Sequence, residues 1–93
     1  MYYVLFYELV ENYIELRKPL REQHLSLIRQ LDAQGYVILA GALDNPPDRA
    51  LLIFQVDDPA IIQQFVQNDP YVQHGLVKRW EIRPWNVVAG KIK

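Results

Sequence analysis

YVILAGALDNPPDRALLIFQV, residues 36–56, is two apolar runs divided by a polar break. Tyr36–Leu43 and Ala50–Val56 are each shorter than an ordinary helix and rich in branched or aromatic side chains, so both read as strands. Between them DNPPDR sets adjacent prolines among Asp and Asn, which makes a turn almost unavoidable. Two short strands on so brief a linker predict an antiparallel hairpin. The elements on either side of that hairpin then decide the fold.

Upstream, Tyr2–Val10 has no helical period and is apolar on both alternating faces, the pattern of a buried strand. Residues 11–18, ENYIELRK, read as a charged connection, and Pro19 as the first position of a helix running to about Gln34 and stopped by Gly35. Downstream, Asp58 is expected to cap a helix that has Pro59 at its first position and Ile61, Ile62, Phe65 and Val66 along one stripe. NDPYVQHG, residues 68–75, predicts a single helical turn closed by Gly75, and LVKRWEIRP, residues 76–84, a last strand. The order β-α-β-β-α-β is that of an α+β, ferredoxin-like sandwich with an antiparallel sheet, in one domain over residues 1–93.

Two helices cover one face of a four-stranded sheet, yet the strands are apolar on both. Tyr3, Leu5, Tyr7 and Leu9 oppose Tyr2, Val4 and Phe6, while Leu51 and Ile53 oppose Leu52, Phe54 and Val56. The sheet of a second copy is the simplest cover, so a homodimer packed face to face as a dimeric α/β barrel is expected, open to higher assembly. Trp80 and Trp85 are assigned to the interface and core, and Val87 and Val88 to pairing across the dimer.

Composition narrows the partners. Hydrophobic residues make up 51% of the chain, more than a small monomer easily hides. The net charge of -1 and the interspersed signs leave no field to gather phosphate backbones or anionic lipid, so neither nucleic acid nor membrane is an expected partner. The opening MYYVLFYEL has no basic lead and meets Glu8 early, unlike a signal peptide or a membrane span; a cytoplasmic protein is expected.

The chemistry is narrowed by elimination. With no cysteine, no threonine and Ser26 as the lone serine, covalent catalysis has little to draw on. Ser26 lies roughly 200° around the helix from His24, too far for a local pair. The isolated glycines form no phosphate loop, and His24 and His74 lack metal-ligand spacing, so no cofactor and no metal are expected. His74, just before Gly75, suits the end of a helical turn.

His24 stands out in REQHLSLIRQL, residues 21–31, because Leu20, Leu27, Ile28 and Leu31 place it on the apolar face. Two readings stay open: a packed ring bonded to a carbonyl, or a base whose Nδ1–H is held by a carboxylate so that Nε2 is free. Asp44, Asp48, Asp57 and Asp58 are explained as turn or capping residues, and Glu11, Glu15 and Glu22 as solvent-facing. Asp69 is the least explained acid, although an Asp-Pro turn would account for it.

At these residues the chain resembles the YciI-like, YCII-related family. The shared features are the strand at the initiator Met, the R-x-x-H-L run at Arg21, His24 and Leu25, and A-G at Ala40 and Gly41. D-P-Y at Asp69–Tyr71, G-L-V at Gly75–Val77 and E-I-R-P-W-N at residues 81–86 complete the set. The resemblance implies a ferredoxin-like subunit paired into a dimeric α/β barrel, related in architecture to muconolactone isomerases and small cofactor-free monooxygenases. It also implies a His24–Asp69 dyad.

With that dyad, Tyr7, Gly41 and Tyr71 become expected neighbours of a pocket between the first helix and the sheet, and Arg17 and Arg21 candidates to hold an anionic group, against solvated helix-end charge. The linker 44–49 is shorter than in many relatives, so contacts borne there are not carried over. Two functions follow: a cofactor-independent enzyme moving a proton on a small organic molecule, by elimination or isomerisation, or a non-catalytic binding or assembly module with a structural His–Asp bond.

Overall fold

The computed structural model describes residues 1–90. Its elements are β1 (Tyr2–Leu9), α1 (Tyr13–Leu16), α2 (Arg21–Ala33), β2 (Val37–Ala42), β3 (Arg49–Gln55), α3 (Ala60–Asn68), α4 (Pro70–Gln73) and β4 (Val77–Trp85). The four strands form one sheet in the order β2-β3-β1-β4 with every neighbour antiparallel. This is the ferredoxin-like arrangement, in which the central hairpin brings β3 to pair with β1.

Alternation along the strands sets the core. Leu5 faces Leu52 on one side and Ile82 on the other, and Tyr7 faces Ala50. Leu5, Tyr7, Leu9, Leu52, Phe54 and Val56 are buried on the face that the helices cover, with Ile62, Phe65 and Val66 from α3 against them. Leu20, Leu27, Ile28 and Leu31 of the α2 segment pack there too, as the helical spacing predicts.

Both helix-to-strand junctions use a glycine at positive φ. Gly35 at φ 83° lets the Tyr36 N–H reach the Leu31 carbonyl at 2.9 Å, and Gly75 at φ 77° lets the Leu76 N–H reach that of Tyr71 at 2.9 Å. Each closes the last turn in the manner of a Schellman motif and aims the chain back to the sheet. His74 Nδ1 lies 3.0 Å from the Pro70 carbonyl, the helix-end role its position predicts.

Three expectations are corrected. The connection at 11–18 contains α1, because Asn12 at φ 64° turns the chain so that Tyr13 drops into the core. Pro19 lies in the turn between α1 and α2, not at the first helical position, since the Leu20 N–H bonds the Arg17 carbonyl at 2.8 Å and α2 begins at Arg21; a fixed φ suits that turn as well as a helix start. Neither tryptophan enters the core of one chain: Trp80 is 45% and Trp85 41% exposed. Val88 is 96% exposed and carries no strand, and the rest of the tail, 91–93, lies outside the described residues.

The sheet face away from the helices carries Phe6, Leu39 and Trp85, all exposed, with Leu51 and Ile53 half-buried beside them. Among the described residues no helix is long and apolar enough to cross a membrane.

Candidate active site

The site is organised by Asp69, fully buried at the junction of α3 and α4. A residue before proline is pushed out of the helical region, and Asp69 accordingly sits at φ -72°, ψ 119° and starts α4 as its N-cap. Its Oδ1 accepts from the Tyr71 N–H at 3.0 Å, the ordinary capping bond. The same carboxylate reaches two distant elements. His24 Nδ1 on α2 is 2.7 Å from Oδ1, and the Tyr7 hydroxyl on β1 donates to Oδ2 at 2.7 Å.

Three donors compensate a carboxylate that would otherwise be costly to bury. With Asp69 as acceptor, Nδ1 of His24 carries the proton, and the lone pair of the neutral ring is on Nε2. That nitrogen makes no hydrogen bond among the described residues. Burial first, and then the Asp69 charge, raises the Tyr7 pKa, so its hydroxyl remains a donor.

The imidazole is fixed from its face as well as its edge. Tyr71 stacks on His24 with centroids 3.7 Å apart and planes 9° from parallel. Tyr13 meets Tyr71 edge-on at 5.7 Å, and the Arg17 guanidinium lies over the Tyr13 ring at 5.1 Å. Burial chiefly, and Tyr13 next, push the Tyr71 hydroxyl up to about 12, against the lowering pull of Arg21 and Arg17.

Beside His24 is a cavity of about 180 Å³ between α2 and β2, with Tyr7, Tyr71 and Arg21 also in its wall and Ala40–Ala42 on the strand side. Of the residues singled out from sequence, His24, Tyr7, Tyr71, Gly41, Arg17 and Arg21 line it, and Asp69 is not part of the wall. By strand register Gly41 shares the face of Leu51, and a Cβ built there meets nothing within 4 Å. Gly41 thus borders the cavity through its backbone, while Ala40 and Ala42 share the faces of Leu52 and Ala50.

Tyr13 is the site residue that sequence reasoning missed. Its signal is the Tyr13–Arg17 spacing of one helical turn inside a run otherwise read as solvated. Ser26 is not in the wall, nor is His74. A wider groove of about 580 Å³ crosses the sheet near Glu8, Arg79 and Trp80. Glu8 and Arg79 there bond each other at 3.2 Å. Among the described residues no three His, Cys, Asp or Glu side chains gather as around a metal ion.

Sheet order and site together define a ferredoxin-like α+β protein with a buried histidine–aspartate pair beside a small cavity. The chain belongs to the family of the YCII-related domain, which matches residues 1–86. It is 32% identical over 97 aligned positions to an uncharacterised protein of Haemophilus influenzae, covering 95% of this chain and 99% of that one. Its fold is similar to that of 5-chloro-2-hydroxyhydroquinone dehydrochlorinase (TftG) from Burkholderia phenoliruptrix AC1100, solved in complex with 2,5-dihydroxybenzoquinone. That likeness has a TM-score of 0.78 at 19% identity, over 92% of this chain and 94% of the other.

Proposed function

We propose that this protein is a general acid–base enzyme in which Nε2 of His24 takes a proton from a small organic molecule and returns it elsewhere. The observation that carries this reading is the free Nε2 of a ring whose Nδ1 is tied to Asp69 at 2.7 Å and which borders a cavity. Asp69 fixes the tautomer and stabilises the imidazolium formed on proton uptake. In an isomerisation the proton returns to another atom of the same molecule; in an elimination the electron pair left by the proton expels a leaving group with its own pair.

A volume of about 180 Å³ is small beside the roughly 300–1,000 Å³ of drug-sized sites, which suits a single-ring molecule. The dehydrochlorinase of similar fold acts on such a ring, which supports the class without specifying the reaction here. Hydrolysis through an acyl intermediate fits poorly, since Ser26 stands outside the wall. The exposed apolar sheet face supports a further part of the reading, a homodimer in which two such faces pack together.

The test is solvent deuterium wash-in, or loss of a leaving group, over a panel of hydroquinones, chlorinated hydroquinones and lactones. His24→Ala lowers turnover of the active compound by about 10²–10⁴-fold with the fold retained. Unchanged turnover overturns the mechanism. A binding or assembly module with a structural His–Asp bond is the second reading, favoured by the burial of both partners and the close stack of Tyr71 on His24.

A further inference from the structure

The hydroxyl of Tyr71 is buried and completes no hydrogen bond among the described residues, alone among their buried side-chain polar atoms, although the Arg21 guanidinium lies near enough to pull its pKa down. Native proteins seldom leave such a group unpaired. Tyr71 is 1% exposed and lines the cavity beside His24. Its ring already has its contacts, with His24 on one side and the Tyr13 edge on another. What the hydroxyl lacks is a polar atom of something that enters the cavity.

Two guanidinium groups border the same space. Arg17 and Arg21 both line the cavity, and neither forms an ion pair among the described residues. The acids next to them in sequence are engaged elsewhere, Glu15 with Lys18 at 3.1 Å and Glu22 with Arg29. No Asp or Glu is in the cavity wall. Arg17 is held in place by its stack on Tyr13 and by a 3.4 Å bond to the Tyr13 hydroxyl, so less freedom is lost when it grips a ligand. Arg21 opens α2, a helix of 13 residues without a side-chain cap, whose first turn adds potential of the same sign.

We propose that Arg17, Arg21 and Tyr71 form an anion-recognition end of the cavity that selects single-ring organic acids, gripping the ionised oxygen group and presenting the ring to Nε2 of His24. The guanidinium forks supply charge and direction, and the Tyr71 hydroxyl supplies a hydrogen bond that no group among the described residues now receives. Ala40, Ala42 and Ala50 form a low wall along which a flat ring lies. This rests on the reading of the cavity as a small-molecule site and narrows its ligand to an acid.

The test compares salicylate with salicylamide, and benzoate with benzamide, followed by amide and arginine Nε chemical shifts of the intact protein at low salt. The acids move the signals of Arg21, Tyr71 and His24 and bind about tenfold or more tightly than the amides. That advantage shrinks as salt is added, as charge recognition requires. Arg21→Gln, at an exposed position with no ion pair among the described residues, brings acid and amide to similar affinity, whereas Arg29→Gln, outside the cavity wall, does not.

Equal affinity of acid and amide in the cavity overturns the anion site and leaves the proton-transfer role of His24 standing. Failure of both acids to shift these signals at millimolar concentration also overturns it. Loss of the His24 mechanism is read separately, from turnover by His24→Ala, so the two failures are distinguishable.

Discussion

Asp69 and His24, 45 residues apart in the chain, meet at 2.7 Å between Oδ1 and Nδ1 with the carboxylate fully buried. The contact makes one imidazole nitrogen a donor and leaves the lone pair of the neutral ring on the other. Nitrogen-detected spectra of neutral His24 are therefore expected to show the Nδ1–H tautomer. Asp69→Ala removes the acceptor of three donors, and a stability loss on the order of 3 kcal/mol is expected by urea denaturation, with a mixed tautomer in the protein that remains folded.

Tyr7 is expected to act on the same carboxylate from the other side. Tyr7→Phe keeps the ring in the core and removes only the 2.7 Å bond to Oδ2. A cost of about 1.5–3 kcal/mol follows for a bond to a charged group, measurable as a shift of the urea midpoint without a change of slope.

Tyr71→Phe is expected to move stability the opposite way. Its hydroxyl is buried without a partner, so removing it leaves the unliganded protein unchanged or up to about 1 kcal/mol more stable, while the stack on His24 persists. Thermal unfolding in the absence of ligand reads the sign.

Alkaline pH should weaken the fold. Tyr7 and Tyr71 hold their protons above the ordinary tyrosine range, Tyr71 to about 12. The unfolded chain releases these protons from about pH 10, so above that it binds fewer than the folded chain and stability falls as pH rises. The contribution is complete below about pH 10 and is lost as pH climbs through the folded values. Denaturation midpoints between about pH 9 and about pH 11 check this, with a shallower decline in Tyr7→Phe and Tyr71→Phe.

The proposed face-to-face dimer predicts that one charge on the open sheet face dissociates it. Phe6 is 40% exposed there, so Phe6→Glu costs little in a single chain but buries an unpaired carboxylate in a pair. Light scattering is expected to give twice the chain mass for the wild type and the single mass for the variant; a wild-type monomer overturns the dimer.

The legible part of the site followed helix periodicity. His24 was readable as a ring on the apolar face because Leu20, Leu27, Ile28 and Leu31 fix that face within one local element. Asp69 was not: alone in the sequence it reads as a turn residue, and it is one, since it caps α4 while it holds His24. Resemblance, not local chemistry, paired the two. Tyr13 escaped because a single anchor inside ENYIELRK leaves no period to detect.

By itself the sequence determined the order of the strands and of every helix but α1, through the short apolar runs of β1 and β3, the proline turn between β2 and β3, and the glycines that end α2 and α4. These are signals carried within a few residues, where backbone sterics and side-chain period act directly. Only the tertiary structure decided that Tyr7, His24 and Asp69 share one hydrogen-bonded unit, that Tyr71 is left with an unpaired hydroxyl, and that Arg17 and Arg21 face the same cavity. Those relations join β1, α2 and α4 through the packing of helices on a sheet, and no local pattern encodes a distance across it.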